Sequence, residues 1–292
     1  MARVLISTPM LEGCLDALAG HELLAGAPGS DAAAEALLCP PTVPVDAAAI
    51  ARMPALRVIA VAGAGSDAID QRAAGERGIA ILTAGDALVE TTADLAFGLI
   101  IWASRRLGEA ERMLRDGRWA GWGFDQTAGR DVHGARLGLV GFGAIGRAVA
   151  RRAAGFAMAV AHHTRTDTGE PGWTKELDEL LAASDIVSLH VPLDGSTRRL
   201  LDRRRLGMMR AGAVLVNTAR GAVVDEEALA RELESGRLGA AGLDVYEDEP
   251  AVSPRLLAAP RTVLLPHVGS ATAATRRAML RLAAERLAGA LG

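Results

Sequence analysis

Hydrophobic positions along the chain gather into short apolar runs, separated by stretches with helical period. Residues 3–8, 35–39, 56–62 and 79–82 read as strands buried on both faces. Between them, 10–19, the segment from Asp46 to Pro54, and 67–77 read as helices, with Asp46 placed to cap the second and Gly78 to end the third. A long helix is expected over 90–114, through the apolar run 95–103, followed by a loop over 117–130. The alternation then resumes. Strands are expected at 137–140, 157–161, 186–190, 214–216, 242–245 and 263–265, and helices at 147–154, 177–183, 203–209 and 226–235. Residues 166–172 read as a disordered tract. This alternation predicts an α/β chain with parallel sheet covered by helices on both faces. The last helix, 272–290, follows the second sheet and is placed to return to the first domain. The expected division is 1–93 with 268–292 for one domain and 94–267 for the other.

Composition narrows the partners more than the fold. At 292 residues and 50% hydrophobic, the chain can bury the cores of two domains. A net charge of −3 gives no basic surplus for nucleic acid or an acidic membrane surface. The run 95–103 is well short of the roughly 20 residues that span a bilayer, and Glu12 and Asp16 interrupt any signal-like N-terminus. Cys14 and Cys39 lack metal-ligand spacing, so no metal is expected and a reducing, cytoplasmic setting is.

The candidate chemistry begins at Gly141-Phe142-Gly143-Ala144-Ile145-Gly146, between an apolar strand and a helix. Gly141 permits a tight turn, Gly143 lets a pyrophosphate approach the backbone, and Gly146 lets helix and strand pack closely. The N–H groups around Ala144 and Ile145 would face the pyrophosphate. Four later stretches lie at strand ends, where open α/β sheets bind ligands. They are Ser188-Leu189-His190-Val191-Pro192, Asn217-Thr218-Ala219-Arg220-Gly221, Asp244-Val245-Tyr246-Glu247-Asp248-Glu249-Pro250 and Pro266-His267-Val268-Gly269. An arginine, a carboxylate from the acidic run 247–249 and a histidine would suit hydride transfer. The histidine moves the proton and the arginine holds an anionic substrate.

Together these motifs resemble the D-isomer-specific 2-hydroxyacid dehydrogenases over about residues 56–281, most of all the glyoxylate/hydroxypyruvate reductases. The resemblance implies two doubly wound parallel-sheet domains, a Rossmann dinucleotide-binding domain inserted in a flavodoxin-like substrate domain, assembled as a homodimer. It implies Arg220, Glu249 and His267 as the catalytic set. It further implies Asp244 on the nicotinamide carboxamide, with Ala219, His267 and Gly269 near the ring. His190, Val191, Pro192 and Thr197 would lie near the adenosine. The substrate would be held by Arg220, His267 and the N–H groups of Ala62, Gly63, Ala64 and Gly65. Trp119 and Trp122 are expected to pack as anchors of a dimer arm, with substrate contact the minority reading.

Thr164-Arg165-Thr166 stands where NAD-specific members carry an acid, so NADP(H) is the expected coenzyme, with NAD(H) possible. Neither the loop after Cys39 nor the turn after Ala62 offers a basic residue for a phosphorylated substrate. The reading is therefore reduction of a small 2-oxo acid, glyoxylate or hydroxypyruvate, to a D-2-hydroxy acid. The alternatives are another 2-hydroxy acid such as phosphoglycerate, or a non-catalytic dinucleotide-sensing protein like the corepressors that share the fold.

Overall fold

The computed structural model describes residues 1–292, and the chain divides into two compact units, Met1–Thr91 with Ser270–Gly292, and Thr92–Gly269. Thr92, Ala93, Val268 and Gly269 therefore belong to the second unit, not the first as the sequence pattern suggested.

The first unit holds β1 (Arg3–Ile6), β2 (Glu22–Ala25), β3 (Ala36–Cys39), α1 (Ala47–Ala51), β4 (Val58–Val61), α2 (Gln71–Glu76) and β5 (Ala80–Thr83). Its five strands are all parallel in the order β2-β1-β3-β4-β5, the flavodoxin-like arrangement. Every residue of β3 and β4 is buried, as apolar runs in a sheet covered on both faces require. The C-terminal helix Ala273–Leu291 lays Leu280, Ala283, Ala284 and Leu287 into the same core as β1, β3 and β4. Asp46 and Asp70 cap α1 and α2 by accepting the N–H groups of Ala49 and Ala73. The helix expected over 10–19 is absent. Gly13 sits at φ +67°, and only a short 3-10 turn, Asp16–Leu18, remains. The edge strand β2 was not expected.

The second unit comprises α3 (Val89–Ser104, which starts at the end of the first unit), α4 (Leu107–Arg115), β6 (Arg136–Val140), α5 (Ala144–Ala154), β7 (Ala159–His163), α6 (Leu177–Ala183), β8 (Ile186–Leu189), α7 (Arg203–Met208), β9 (Val214–Asn217), α8 (Glu226–Glu234), β10 (Ala240–Leu243), α9 (Pro254–Ala258) and β11 (Thr262–Leu264). Its six parallel strands run β11-β10-β9-β8-β6-β7, so the strand order reverses beside β6. The long helix expected over 90–114 is broken at Arg106, which lies at φ +54° with its guanidinium on Glu109 and on the Ala128 carbonyl. Within the 20-residue segment Gly85–Ser104, an 18-residue window reaches a mean hydropathy of 1.3, and half of that window is buried within the chain. Leu99 packs against Gly242 of β10, as a core helix would. The strand expected at 157–161 starts later, at Ala159, because Ala157 is held at φ +52°. The polar tract 166–172 is tied down, with the His162 N–H donating to Gly172 O at 2.8 Å and His162 Nε2 within 2.9 Å of Thr168 Oγ1.

Asp185 fastens the edge of this sheet where β6 begins. It accepts the Arg136 N–H at 3.1 Å and the Arg136 guanidinium at 2.9 and 3.0 Å. Arg130 and Arg210 approach it at 3.0 and 3.2 Å. These bonds, those from Arg136 foremost, hold its carboxyl well below the usual range against the opposing effect of burial. Asp185→Ala is expected to cost about 2 kcal/mol at pH 7, a modest figure because two of its arginine partners are half exposed. The folded-state value is depressed. The contribution is therefore complete above the ordinary Asp value of about 4 and fades as pH falls below it. Urea unfolding at pH 7 and pH 3 should show the gap between variant and parent narrowing in acid.

Candidate active site

The glycine loop is built as the motif requires. Gly141 adopts φ +93°, and a Cβ there would meet His190 O at 2.4 Å. A Cβ on Gly146 would meet Gly141 O at 2.5 Å, whereas one on Gly143 would meet open space. The loop is thus closed on two sides and open on the third. α5 starts at Ala144 rather than Arg147, and no side chain caps it, so the first-turn N–H groups of Ala144, Ile145 and Gly146 stay available to an anion. Phe142 stacks on buried His162 with ring centroids 3.7 Å apart. These features fit a dinucleotide pyrophosphate.

Beyond β7, Thr164 Oγ1 donates to Thr166 O at 2.6 Å and accepts from Trp173 Nε1 at 3.1 Å. Arg165 is largely exposed, with Nη1 3.6 Å from Asp194 Oδ2. The other oxygen of Asp194 accepts the Ser196 and Thr197 N–H groups. The Thr197 hydroxyl, expected on the coenzyme, instead donates to Pro192 O at 2.7 Å and accepts the Asp194 N–H at 2.8 Å. It therefore serves to shape the turn after Pro192. His190 Nε2 lies 2.9 Å from Ser188 Oγ, and burial pulls the imidazole down to about 4, which keeps it neutral.

The ends of β9, β10 and β11 gather the reactive groups. Asn217 closes the loop after β9, accepting the Ala219 N–H at 3.0 Å and donating to Arg220 O at 2.9 Å. Arg220 Nη1 donates to Ala219 O at 2.7 Å. His267 Nδ1 lies 2.7 Å from Glu249 Oε2, while Glu249 Oε1 accepts the Tyr246 N–H at 3.1 Å. Burial pushes the Glu249 carboxyl up. The bonds from His267 and Tyr246 and the nearby charge of Arg220 outweigh it, and the net shift is downward. Glu249 is therefore the carboxylate that meets the histidine; its neighbour Glu247 pairs with Arg199 at 3.4 Å.

His267 sits at φ +52°, an uncommon left-handed conformation that histidine tolerates better than most residues. Asp244 sustains it. Its carbonyl accepts the His267 N–H at 2.9 Å, and its two carboxylate oxygens accept the N–H groups of Val268 and Gly269, both at 2.8 Å. Asp244 is 1% exposed and burial raises its carboxyl, partly countered by these bonds. The sequence reading put it on the nicotinamide carboxamide; the role visible here is to hold the histidine turn. Thr218 Oγ1, in the same loop as Arg220, is buried without a partner, a polar atom the sequence reading overlooked.

One further expectation changes. The Ala62 N–H donates to Cys39 O at 2.8 Å, which removes it from the proposed substrate donors and leaves Gly63, Ala64 and Gly65. Trp119 and Trp122, read as packing anchors of a dimer arm, lie open on the single chain. They are 54% and 77% exposed, and Trp122 makes an edge contact with the equally open Phe124 at 4.7 Å between centroids.

Residues 97–269 match the family model described as D-isomer specific 2-hydroxyacid dehydrogenase, NAD binding domain. A glyoxylate reductase of Korarchaeum cryptofilum is 43% identical over 261 residues, covering 87% of this chain and 78% of the relative. The crystal structure of a glyoxylate reductase from Paecilomyes thermophila superposes with a TM-score of 0.90 at 38% identity, over 99% of this chain and 95% of that one. An NADPH-dependent glyoxylate/hydroxypyruvate reductase from Sinorhizobium meliloti, solved with NADP and malonate, gives 0.87 at 33% identity, over 97% and 91%.

Proposed function

The chain belongs to the D-isomer-specific 2-hydroxyacid dehydrogenase family of NAD(P)-dependent oxidoreductases, and on that premise we propose that it reduces glyoxylate and hydroxypyruvate to D-2-hydroxy acids, with NADPH favoured. The observation that carries this reading is the 2.7 Å contact between His267 Nδ1 and Glu249 Oε2. With Nδ1 held by a carboxylate, Nε2 is the ring nitrogen left to give a proton to the substrate carbonyl oxygen. Glu249, ionised at neutral pH, opposes the charge of the imidazolium and orients the ring. Arg220 binds the substrate carboxylate and orients the carbonyl. The bound dinucleotide would supply the hydride to the carbonyl carbon. Gly141, Gly143 and Gly146 shape its pyrophosphate cradle, and the lone pairs left on Asp244 would receive the carboxamide.

NADPH is favoured because no acid stands at Thr164, and the largely exposed Arg165 can pair with a 2′-phosphate in place of Asp194. Thr164→Asp is expected to lower the ratio of kcat/KM for NADPH over NADH by about 30-fold, through like-charge repulsion and a new ribose acceptor. An unchanged ratio would remove this residue from coenzyme selection. The exposed Trp119, Trp122 and Phe124 support a homodimer that covers them. Cys14 and Cys39 are free and buried, which supports a reducing, cytoplasmic setting.

The reading is tested by steady-state oxidation of NADPH and NADH with glyoxylate, hydroxypyruvate, pyruvate and 3-phosphohydroxypyruvate. Fastest turnover with the first two is expected. A preference for the phosphorylated acid, or no turnover despite tight dinucleotide binding, would contradict it.

A further inference from the structure

Glu226 is a buried carboxylate that the mechanism above does not use. It is the first residue of α8 and 8% exposed. The capping of that helix is already performed by Asp225, which accepts the Ala228 N–H at 2.9 Å. Glu226 instead reaches away from its own helix and accepts the Glu247 N–H at 2.7 Å. Its surroundings do not favour a negative charge. Burial, and then the charges of Glu247, Asp248 and Glu249, raise its carboxyl above the ordinary range, although the Glu247 N–H bond works the other way. An acid kept in such a place needs a reason other than stability.

The loop it grips supplies one. The chain from Tyr246 to Glu249 lies directly on Gly221, the residue after Arg220; a Cβ there would fall 1.8 Å from Tyr246 C and 2.3 Å from Glu247 N. From the far side, Tyr246 Oη donates to Leu265 O at 2.9 Å. Glu249 folds back to accept the Tyr246 N–H and presents its other oxygen to His267. The loop is thus fixed against the arginine segment, the histidine segment and Glu226, and it presents the Glu249 carboxylate to the imidazole.

We propose that Glu226 is a positioning residue for the reduction, which pins the Glu247 N–H and thereby keeps Glu249 on His267. The proposal rests on the reading of His267 and Glu249 as the proton-transfer pair. The bond needs an acceptor oxygen and not a charge. Glu226→Gln, which keeps an acceptor, should therefore behave differently from Glu226→Ala, which does not.

The test compares both variants with the parent in 2-oxo acid reduction across pH, alongside the low-field proton resonance of the His267–Glu249 hydrogen bond. Glu226→Ala is expected to lower kcat about 30-fold, the scale of a small misplacement of a catalytic group. KM for the coenzyme should be unchanged within about twofold, because the dinucleotide cradle is on another segment. The low-field resonance should broaden or vanish. Glu226→Gln should restore kcat to within about threefold of the parent and keep the resonance. Equal losses in both variants would overturn the proposal, because the charge and not the bond would then matter. So would a normal resonance with full kcat in Glu226→Ala. Full turnover in a His267 variant would instead overturn the proton-transfer reading itself. An inactive His267 variant beside a fully active Glu226→Ala would overturn only the role of Glu226.

Discussion

His267→Asn is expected to lower 2-oxo acid turnover by about 10³-fold while dinucleotide affinity stays within about twofold of the parent. Asparagine is the informative replacement because position 267 sits at φ +52°, which asparagine tolerates and alanine resists. The Asp244 bonds to the N–H groups of residues 267, 268 and 269 can therefore persist, so the turn should survive without its ring. What disappears is the proton donor. The loss should fall on kcat and on kcat/KM alike, the mark of an interaction made chiefly in the transition state. Pre-steady-state mixing of the variant with NADPH and glyoxylate should show slow chemistry without a burst. A variant with parental kcat would exclude His267 as the general acid. Lost NADPH binding with normal chemistry would assign it to the coenzyme.

Arg220→Ala is expected to lower kcat/KM for the 2-oxo acid by about 10³-fold, divided between a higher KM and a lower kcat. The division follows from two tasks. In the proposed reaction the guanidinium would hold the substrate carboxylate beforehand and face the negative charge that grows on the carbonyl oxygen. Arg220→Lys keeps the charge but loses the planar fork, and should recover only part of the loss. The fold should tolerate both changes, because Asn217 closes the loop through the Ala219 and Arg220 backbone atoms. Unchanged substrate KM and kcat in Arg220→Ala would remove the residue from the site.

The parts of this picture that were legible in the sequence are those written in local chemistry. Gly141 and Gly146 occupy positions where a side chain would strike backbone atoms, and the glycine spacing announces that demand directly. Pro266-His267 and Glu249-Pro250 could be found because rare residue types stand in a recognisable frame. The break at Arg106 could not. It needs no glycine or proline, and the apolar period runs through it; a left-handed residue tied to Glu109 and Ala128 has no signature in the pattern. The strand Glu22–Ala25 was hidden because it is an edge strand with two half-buried leucines, too short to set a period. The offset of β7 came from Ala157, whose positive φ delays the strand. Through-space commitments were the least visible. That Asp244 would hold the histidine turn and that the Ala62 N–H would be occupied by Cys39 depend on segments meeting from more than twenty residues apart. Glu226 is the extreme case, an unremarkable helix-start acid in sequence and the partner of the Glu249 loop in space.

The most direct test of the account is the configuration of the product formed from hydroxypyruvate with NADPH, measured by chiral chromatography after complete reduction. The account predicts D-glycerate alone, formed in equal amount to the NADPH consumed, because Arg220 and His267 fix which carbonyl face meets the hydride. Racemic or L-glycerate, or NADPH that binds but is never oxidised, would contradict it.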